Sequence, residues 1–153
     1  AIILVTGSEA EEVAAMSRTF AERQGAGDRL QVVHAADHAE GMGASLRAGA
    51  AALPANAAGA FVFLGDMPRV PAVLLPRLIA AVESGAAAAA PICGGRRGHP
   101  VLFAAELFEA LRQASGDEGA RAAPAGLGPR LALIDTDDEG VLFDVDRPED
   151  LSA

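Results

Sequence analysis

The stretch AFVFLGDMP, residues 60–68, decides the fold class of this chain. Its first five residues form a continuous apolar run with a β-branched residue and two phenylalanines, which is typical of a buried strand. The run leads directly into Gly65 and Asp66. Pro71 and a stripe of apolar residues at helical spacing follow, so the pattern predicts a helix behind the strand. A strand followed by a loop and an amphipathic helix is the repeating unit of an α/β fold.

The same alternation continues on both sides of that stretch. Apolar runs at residues 2–5 and 30–34 predict strands, and a helix is expected after each of them. The alanine run at residues 86–90 favours a helix by propensity, but it is too short for an isolated helix and reads as a buried strand. Later strands are predicted at residues 101–103, 131–134 and 141–145. The sequence therefore predicts one domain over residues 1–153 with a doubly wound, mostly parallel, Rossmann-like sheet.

Composition excludes several classes of function. The formal net charge is −9, and all twelve basic residues are arginines that form no long basic run. Such a chain is a poor candidate for binding a nucleic-acid backbone. Its apolar runs are far shorter than the roughly 20 residues that span a membrane. Cys93 is the only cysteine, which fits a reducing compartment. We expect a cytoplasmic protein with neither nucleic acid nor membrane as a partner.

Asp66 is the first candidate for chemistry. It follows the predicted central strand, with Gly65 before it and Pro68 two residues after it. In an α/β sheet ligands bind at the carboxyl ends of the strands, and a fixed carboxylate oxygen there suits a hard divalent cation. An aspartate that merely caps the next helix would produce the same pattern.

The acidic segment FDVDRPED, residues 143–150, is the second candidate. Strand alternation would direct Asp144 and Asp146 to one side, opposite Val145. Two carboxylates so placed repel one another unless a cation or an arginine lies between them. A solvated acidic C-terminus is the alternative interpretation.

Two glycine-containing segments complete the candidates. Residues 94–101, GGRRGHPV, combine glycines that permit close backbone approach with arginines that bind phosphate oxygens, although a surface hairpin would look similar. Residues 40–46, EGMGASL, predict a helix whose first amides can face an anion or a base edge. An ordinary helix start is the alternative there.

Taken in order, these segments resemble the molybdenum cofactor nucleotidyltransferases, in particular the molybdopterin cytidylyltransferase-like branch of these MobA-like NTP transferases. The resemblance covers nearly the whole chain, from residue 2 to residue 151, and rests on five motifs: AEGMGASLRAG at 39–49, LGDMP at 64–68, GRRGHPV at 95–101, GDEGAR at 116–121 and DVDRPEDL at 144–151. It implies a Rossmann-like fold of the nucleotidyltransferase type and an enzyme that depends on Mg²⁺.

The resemblance also implies a reaction and a set of roles. A phosphate of a molybdopterin-type substrate attacks the α-phosphate of CTP or GTP, with CMP transfer favoured, and pyrophosphate leaves. Asp66 together with Asp144 or Asp146 would hold the Mg²⁺, and Asp66 and Asp146 are the favoured catalytic pair. The implied substrate-binding residues are Gly41, Met42 and Ser45 near the nucleotide, Arg97, His99 and Pro100 near the pterin, and Arg121 near an anion or its loop.

One departure from the family pattern leaves alternatives open. Family members begin with a strand and a glycine-rich Leu-Ala-Ala-Gly loop, followed by Arg-Met-Gly and a lysine, which together hold the triphosphate. The sequence contains no such motif and no lysine, so we expect an N-terminally incomplete domain. If that segment is truly lost, the chain would be a non-catalytic module that binds a pterin, a molybdoenzyme or a chaperone. A nucleotidyltransferase for sugar phosphates or other small molecules is a second alternative.

Overall fold

A computed structural model describes residues 1–116, 126–147, 149 and 150. The strands are β1 Ile2–Thr6, β2 Leu30–His34, β3 Gly59–Val62, β4 Ala88–Cys93, β5 Arg96–Arg97, β6 Val101–Ala104 and β7 Leu131–Asp135. The α-helices are α1 Ala10–Arg23, α2 Met42–Ala51, α3 Leu75–Glu83 and α4 Phe108–Arg112. No helix in these described residues is both long and apolar enough to cross a membrane.

The chain divides into two units, and the first comprises Ala1–Ala57 and Phe108–Gly126. Here β1 and β2 pair in parallel, with Thr6 opposite His34 at their carboxyl ends. The helix α1 connects the two strands, as parallel pairing requires. Its buried residues are Ala14 and Ala21, whereas Met16 and Phe20 on the same helix are about two-thirds exposed, at 67% and 65%.

The second unit comprises Ala58–Leu107 and Leu127–Ala153. Its sheet has the order β3-β6-β4-β5, and β7 pairs with β4. The pairs β4–β7 are parallel, while β3–β6, β4–β6 and β4–β5 are antiparallel. One core cluster joins Ala89 of β4, Leu78 of α3 and Leu102 of β6. A second cluster joins Leu74, Cys93 and Val141.

The α/β class is confirmed, and the strand within the alanine run is confirmed as β4. The mostly parallel pairing that we expected holds for β1–β2 and β4–β7 only, because β6 enters the larger sheet in the opposite direction. A glycine-rich turn and a short hairpin, rather than a helical crossover, connect β4 to β6 through β5, and a short connection of this kind reverses the chain.

The strand predicted at residues 141–145 is wrong. Glu139–Val141 forms a single 3₁₀ turn, and the residues that follow it have no strand structure. Their backbone groups bond instead to loops: the Val141 carbonyl accepts from the His99 amide at 2.9 Å, and the Val145 amide donates to the Asp66 carbonyl at 2.8 Å. A segment that satisfies its polar groups in this way has no need of a ladder. The prediction that Asp144 and Asp146 share one face rested on strand alternation. It loses that support because the segment is not a strand.

Candidate active site

Asp66, four residues after the end of β3, lies in a tight turn. The Met67 amide donates to the Leu64 carbonyl at 3.2 Å, which closes the turn. The Met67 side chain is buried, at 9% exposure, while Gly65 and Asp66 are exposed. A buried anchor therefore holds the turn and leaves the Asp66 carboxylate open to solvent, as a ligand-binding group requires.

Residues 138–146, which we call the strap, run past this turn and are held to it at two points. The Val145 amide bonds to the Asp66 carbonyl. At the other end, a Cβ on Gly140 would lie 2.1 Å from the Arg69 carbonyl oxygen, so only glycine allows this approach. Between these points the Arg69 guanidinium lies over the Phe143 ring at 4.0 Å from its centroid, a cation–π contact.

The strap also holds the loop that carries His99. The Gly98 amide donates to the Pro91 carbonyl at 2.9 Å, and the His99 amide donates to the Val141 carbonyl at the same distance. A Cβ on Gly98 would lie 2.3 Å from the Val141 carbonyl oxygen. Gly98 is thus needed for close packing and not for a special backbone angle.

The predicted pterin-side residues differ in exposure. Arg97 is exposed in the β4–β5 hairpin, where it pairs with Ile92. His99 is half-buried and Pro100 is buried, and the peptide bond between them is cis. The strap is therefore hydrogen-bonded to two segments that the sequence singled out, the Asp66 turn and the His99 loop.

The carboxylates of the second unit form an open arrangement. Asp66, Asp144 and Asp146 are exposed, and none of the ion pairs found in the described part of the chain involves them. Within residues 1–116, 126–147, 149 and 150, no three His, Cys, Asp or Glu side chains lie close enough together to hold a metal ion. One or two carboxylates that leave positions for phosphate oxygens and water are nevertheless what Mg²⁺ prefers.

The predicted nucleotide-side residues lie in the first unit, at the start of α2. Gly41 is the residue before the helix and has φ 112°. As a glycine it has no side chain that could cap the first turn. The Gly43 amide donates to the Gly116 carbonyl at 2.9 Å, and the Ala44 amide donates to the Gly41 carbonyl at 3.1 Å. Two amides of the first turn are therefore engaged within the protein and are not available to an anion. Met42 is 40% exposed and Ser45 is half-buried, so the side chains of both predicted residues have surface open to solvent.

Sequence reasoning missed the groups that hold these segments in place. In the sequence Arg47 is only one residue of the motif AEGMGASLRAG, yet its guanidinium donates to Asp37 and to the Ala114 carbonyl. The hydrogen bond from Arg47 holds the pKa of the Asp37 carboxyl below its ordinary value, and the same bond raises the pKa of Arg47. Gly140, Arg69 and Phe143 also carried no local signal, since their contacts join residues far apart in the chain. Arg121 lies outside the described residues.

Comparison with known proteins identifies a family for most of the chain. A family model described as a MobA-like NTP transferase domain matches residues 1–130, a span that includes Asp66 and His99 and ends before Asp144. No curated protein matches the chain.

Solved structures are similar over almost the whole chain. The chain is 28% identical to Rv0371c from Mycobacterium tuberculosis H37Rv with a TM-score of 0.75, over 98% of this chain and 72% of that one. A manganese complex of Rv0371c is 25% identical with a TM-score of 0.70, over 98% and 75% of the two chains. An Rv0371c homologue from Mycobacterium sp. strain JC1 is also 25% identical, with a TM-score of 0.68 over 98% and 71%.

Because the family model covers most of the chain and the fold agrees, the chain belongs to the MobA-like NTP transferase domain family and is a protein of the nucleotidyltransferase type.

Proposed function

We propose that this chain acts as a nucleotidyltransferase that transfers a nucleoside monophosphate, CMP in preference to GMP, to the phosphate of a molybdopterin-type substrate. The observation that supports the proposal most directly is the hydrogen bond from the Val145 amide to the Asp66 carbonyl. It joins two carboxylate-bearing segments that are 79 positions apart by residue number, 66 and 145. A hydrogen bond between residues so far apart in the chain comes from tertiary packing and not from local structure.

The residues present fit a divalent cation. Asp66 and one of Asp144 and Asp146, with Asp146 favoured, offer exposed carboxylate oxygens on adjoining backbone segments. Magnesium commonly binds one or two protein carboxylates and completes its shell with phosphate oxygens and water. When bound, such an ion offsets the negative charge of the phosphates in the transition state. Manganese accompanies Rv0371c in one of its structures, and both ions prefer oxygen ligands, so we expect Mg²⁺ or Mn²⁺ to serve here.

The reaction needs positioning more than covalent chemistry from the protein. An oxygen of the pterin phosphate forms a bond to the α-phosphorus of the nucleoside triphosphate. The bond from that phosphorus to the bridging oxygen of the β-phosphate breaks, and pyrophosphate leaves with the electron pair. Arg97, His99 and Pro100 would orient the pterin substrate, because a guanidinium and an imidazole bind phosphate and ring heteroatoms. Gly41, Met42 and Ser45 would contact the nucleotide.

The test measures pyrophosphate release by the full-length protein with CTP or GTP, Mg²⁺ or Mn²⁺, and a molybdopterin-type acceptor. We expect Asp66→Asn to lower turnover by roughly a hundredfold or more while leaving the fold intact, because it removes a group that acts on developing charge. Asp137→Asn is the matched control, since Asp137 is an exposed aspartate of the same unit outside the proposed site. Equal turnover in the two variants would refute the assignment of Asp66.

The same assay separates the alternatives that the sequence left open. A non-catalytic module would bind the pterin by calorimetry and release no pyrophosphate with either nucleotide. An enzyme for sugar phosphates would release pyrophosphate with a sugar phosphate and not with the pterin. Arg97→Ala should raise the KM for the pterin more than that for the nucleotide, and equal changes would remove Arg97 from the substrate site.

A further inference from the structure

The segment Ala114–Gly116 is attached to α2 by two independent contacts in the first unit. The Arg47 guanidinium donates to the Ala114 carbonyl at 2.6 Å. The Gly43 amide donates to the Gly116 carbonyl at 2.9 Å. Ala114 is buried, whereas Ser115 and Gly116 are exposed, so the segment is held at the surface next to the first turn of the helix.

Arg47 binds a second segment with its other terminal nitrogen. Nη2 donates to the Asp37 carboxylate and lies 3.5 Å from a Glu40 carboxylate oxygen, while Nη1 serves Ala114. Asp37 and Glu40 belong to the short connection between β2 and α2. One planar guanidinium therefore joins this connection to the segment Ala114–Gly116, which a lysine ammonium with its single nitrogen reproduces poorly.

Gly43 is small because the same segment lies against it. A Cβ at this position would lie 2.7 Å from the Gly116 carbonyl oxygen and 2.9 Å from the Ser115 Cα atom. These are backbone atoms, so the segment would have to move as a whole. Gly43 and Arg47 hold the same segment through contacts that can be removed one at a time.

We propose that Arg47 is a positioning residue, which sets the start of α2 by holding the β2–α2 connection and the segment Ala114–Gly116 together. Its consequence for ligand binding rests on the proposed function, since Gly41, Met42 and Ser45 are the residues given there to the nucleotide. Arg47 itself is engaged with protein groups through both terminal nitrogens. It acts on the nucleotide through the conformation of that first turn and not by contact.

Hydrogen–deuterium exchange of the Gly43 amide reports the proposed arrangement directly, because this amide is the donor to Gly116. In Arg47→Gln we expect its exchange to become about tenfold faster, the size of effect produced by losing a hydrogen bond to a charged group. Arg47→Lys should fall between the wild type and Arg47→Gln. The matched control is Arg112→Gln, which removes a partly exposed arginine that pairs with Glu109 at 3.3 Å. Exchange at Gly43 within twofold of the wild type in Arg47→Gln would overturn the proposal.

Gly43→Ala tests the same arrangement from the other side, with Arg47 intact. The added methyl should displace the segment and accelerate exchange around Ala114 while the amides of β1 and β2 keep their wild-type rates. Loss of protection throughout the first unit in both variants would mean that Arg47 only maintains the fold, and this result would also overturn the proposal.

The activity assay adds a reading that a merely structural role would not produce. Arg47→Gln should raise the KM for the nucleoside triphosphate about tenfold and leave kcat within about twofold, since only the nucleotide-side residues shift. A fall in kcat with an unchanged KM would contradict positioning of the nucleotide. If the wild-type protein turns over no nucleotide, the proposed function fails, while the exchange experiment still decides the role of Arg47.

Discussion

The strands β1 and β4 differ in burial, and the difference is opposite to the one that the hydrophobicity of their side chains suggests. The strand β1 reads IILVT, yet Ile2 is 42% exposed and only Thr6 is buried. The strand β4 reads AAAPIC, and Ala88, Ala89 and Ala90 have no exposed surface. The more hydrophobic strand is therefore the less buried of the two.

Neighbours, and not hydrophobicity, account for the difference. The strand β4 pairs with β5, β6 and β7, and Leu78 of α3 packs against Ala89. Within the described residues, β1 pairs with β2 alone. Small side chains in β4 allow its neighbours to approach closely, which removes its surface from water. Burial is a property of a strand's surroundings, and its own apolar area sets only what can be gained.

The largest effect that would test this comparison is the loss of the side chain that covers β4. Leu78 has no exposed surface, so Leu78→Ala should reduce the free energy of unfolding by about 2–5 kcal/mol through lost burial and a residual cavity. Ile79→Ala, on the same helix at 40% exposure, is the matched control. Urea unfolding at equilibrium measures both, and equal losses would show that α3 does not cover β4 as described.

A smaller effect is expected from filling β4 itself. Ala89→Leu should destabilise by about 1–3 kcal/mol, because a closely packed site cannot take three more carbon atoms without strain. Ala80→Leu, at an exposed position of α3, serves as the comparison. A stabilising Ala89→Leu would indicate unfilled space beside β4 and would break the contrast with β1.

On the β1 side the expected effect is smaller still. Ile2→Ala should cost roughly 1 kcal/mol or less, since much of the side chain is already in water and its loss leaves no closed cavity. The same urea titrations provide the number. A cost as large as that of Leu78→Ala would mean that β1 is covered in solution by something beyond the residues described.

The smallest effect concerns pH and the ion pair of the first unit. Because the Arg47 hydrogen bond lowers the pKa of Asp37, the ionised carboxylate contributes stability above its unfolded pKa of about 3.9, and this contribution is lost as the pH falls through the lower folded pKa. Both groups are partly exposed, so the change should be slight. NMR titration of Asp37 gives its folded pKa directly. As the pH falls below about 5, the free energy of unfolding of Asp37→Asn should depend less on pH than that of the wild type. An identical dependence would contradict the assignment.

Much of the fold was predictable because its signals are local. The apolar runs of β1, β2 and β3 and the bounded alanine run of β4 each identify a strand from neighbouring residues. The strand predicted at residues 141–145 failed for the opposite reason: its backbone bonds to Asp66 and His99, partners that no local pattern reveals. The expectation that the first-turn amides of α2 can face an anion failed in the same way, since the Gly43 amide donates to the Gly116 carbonyl.

The sequence by itself determined the α/β class, the positions of most strands and helices, and the candidate residues Asp66, Asp144, Asp146 and His99. These follow from side-chain periodicity, turn chemistry and motif order, which are written in consecutive residues. Tertiary structure alone decided that the strap joins the Asp66 turn to the His99 loop, that Gly98 and Gly140 allow that approach, and that Arg47 holds Ala114–Gly116 on α2. Contacts between residues distant in the chain depend on how the packed elements meet, and a single sequence carries no local record of that meeting.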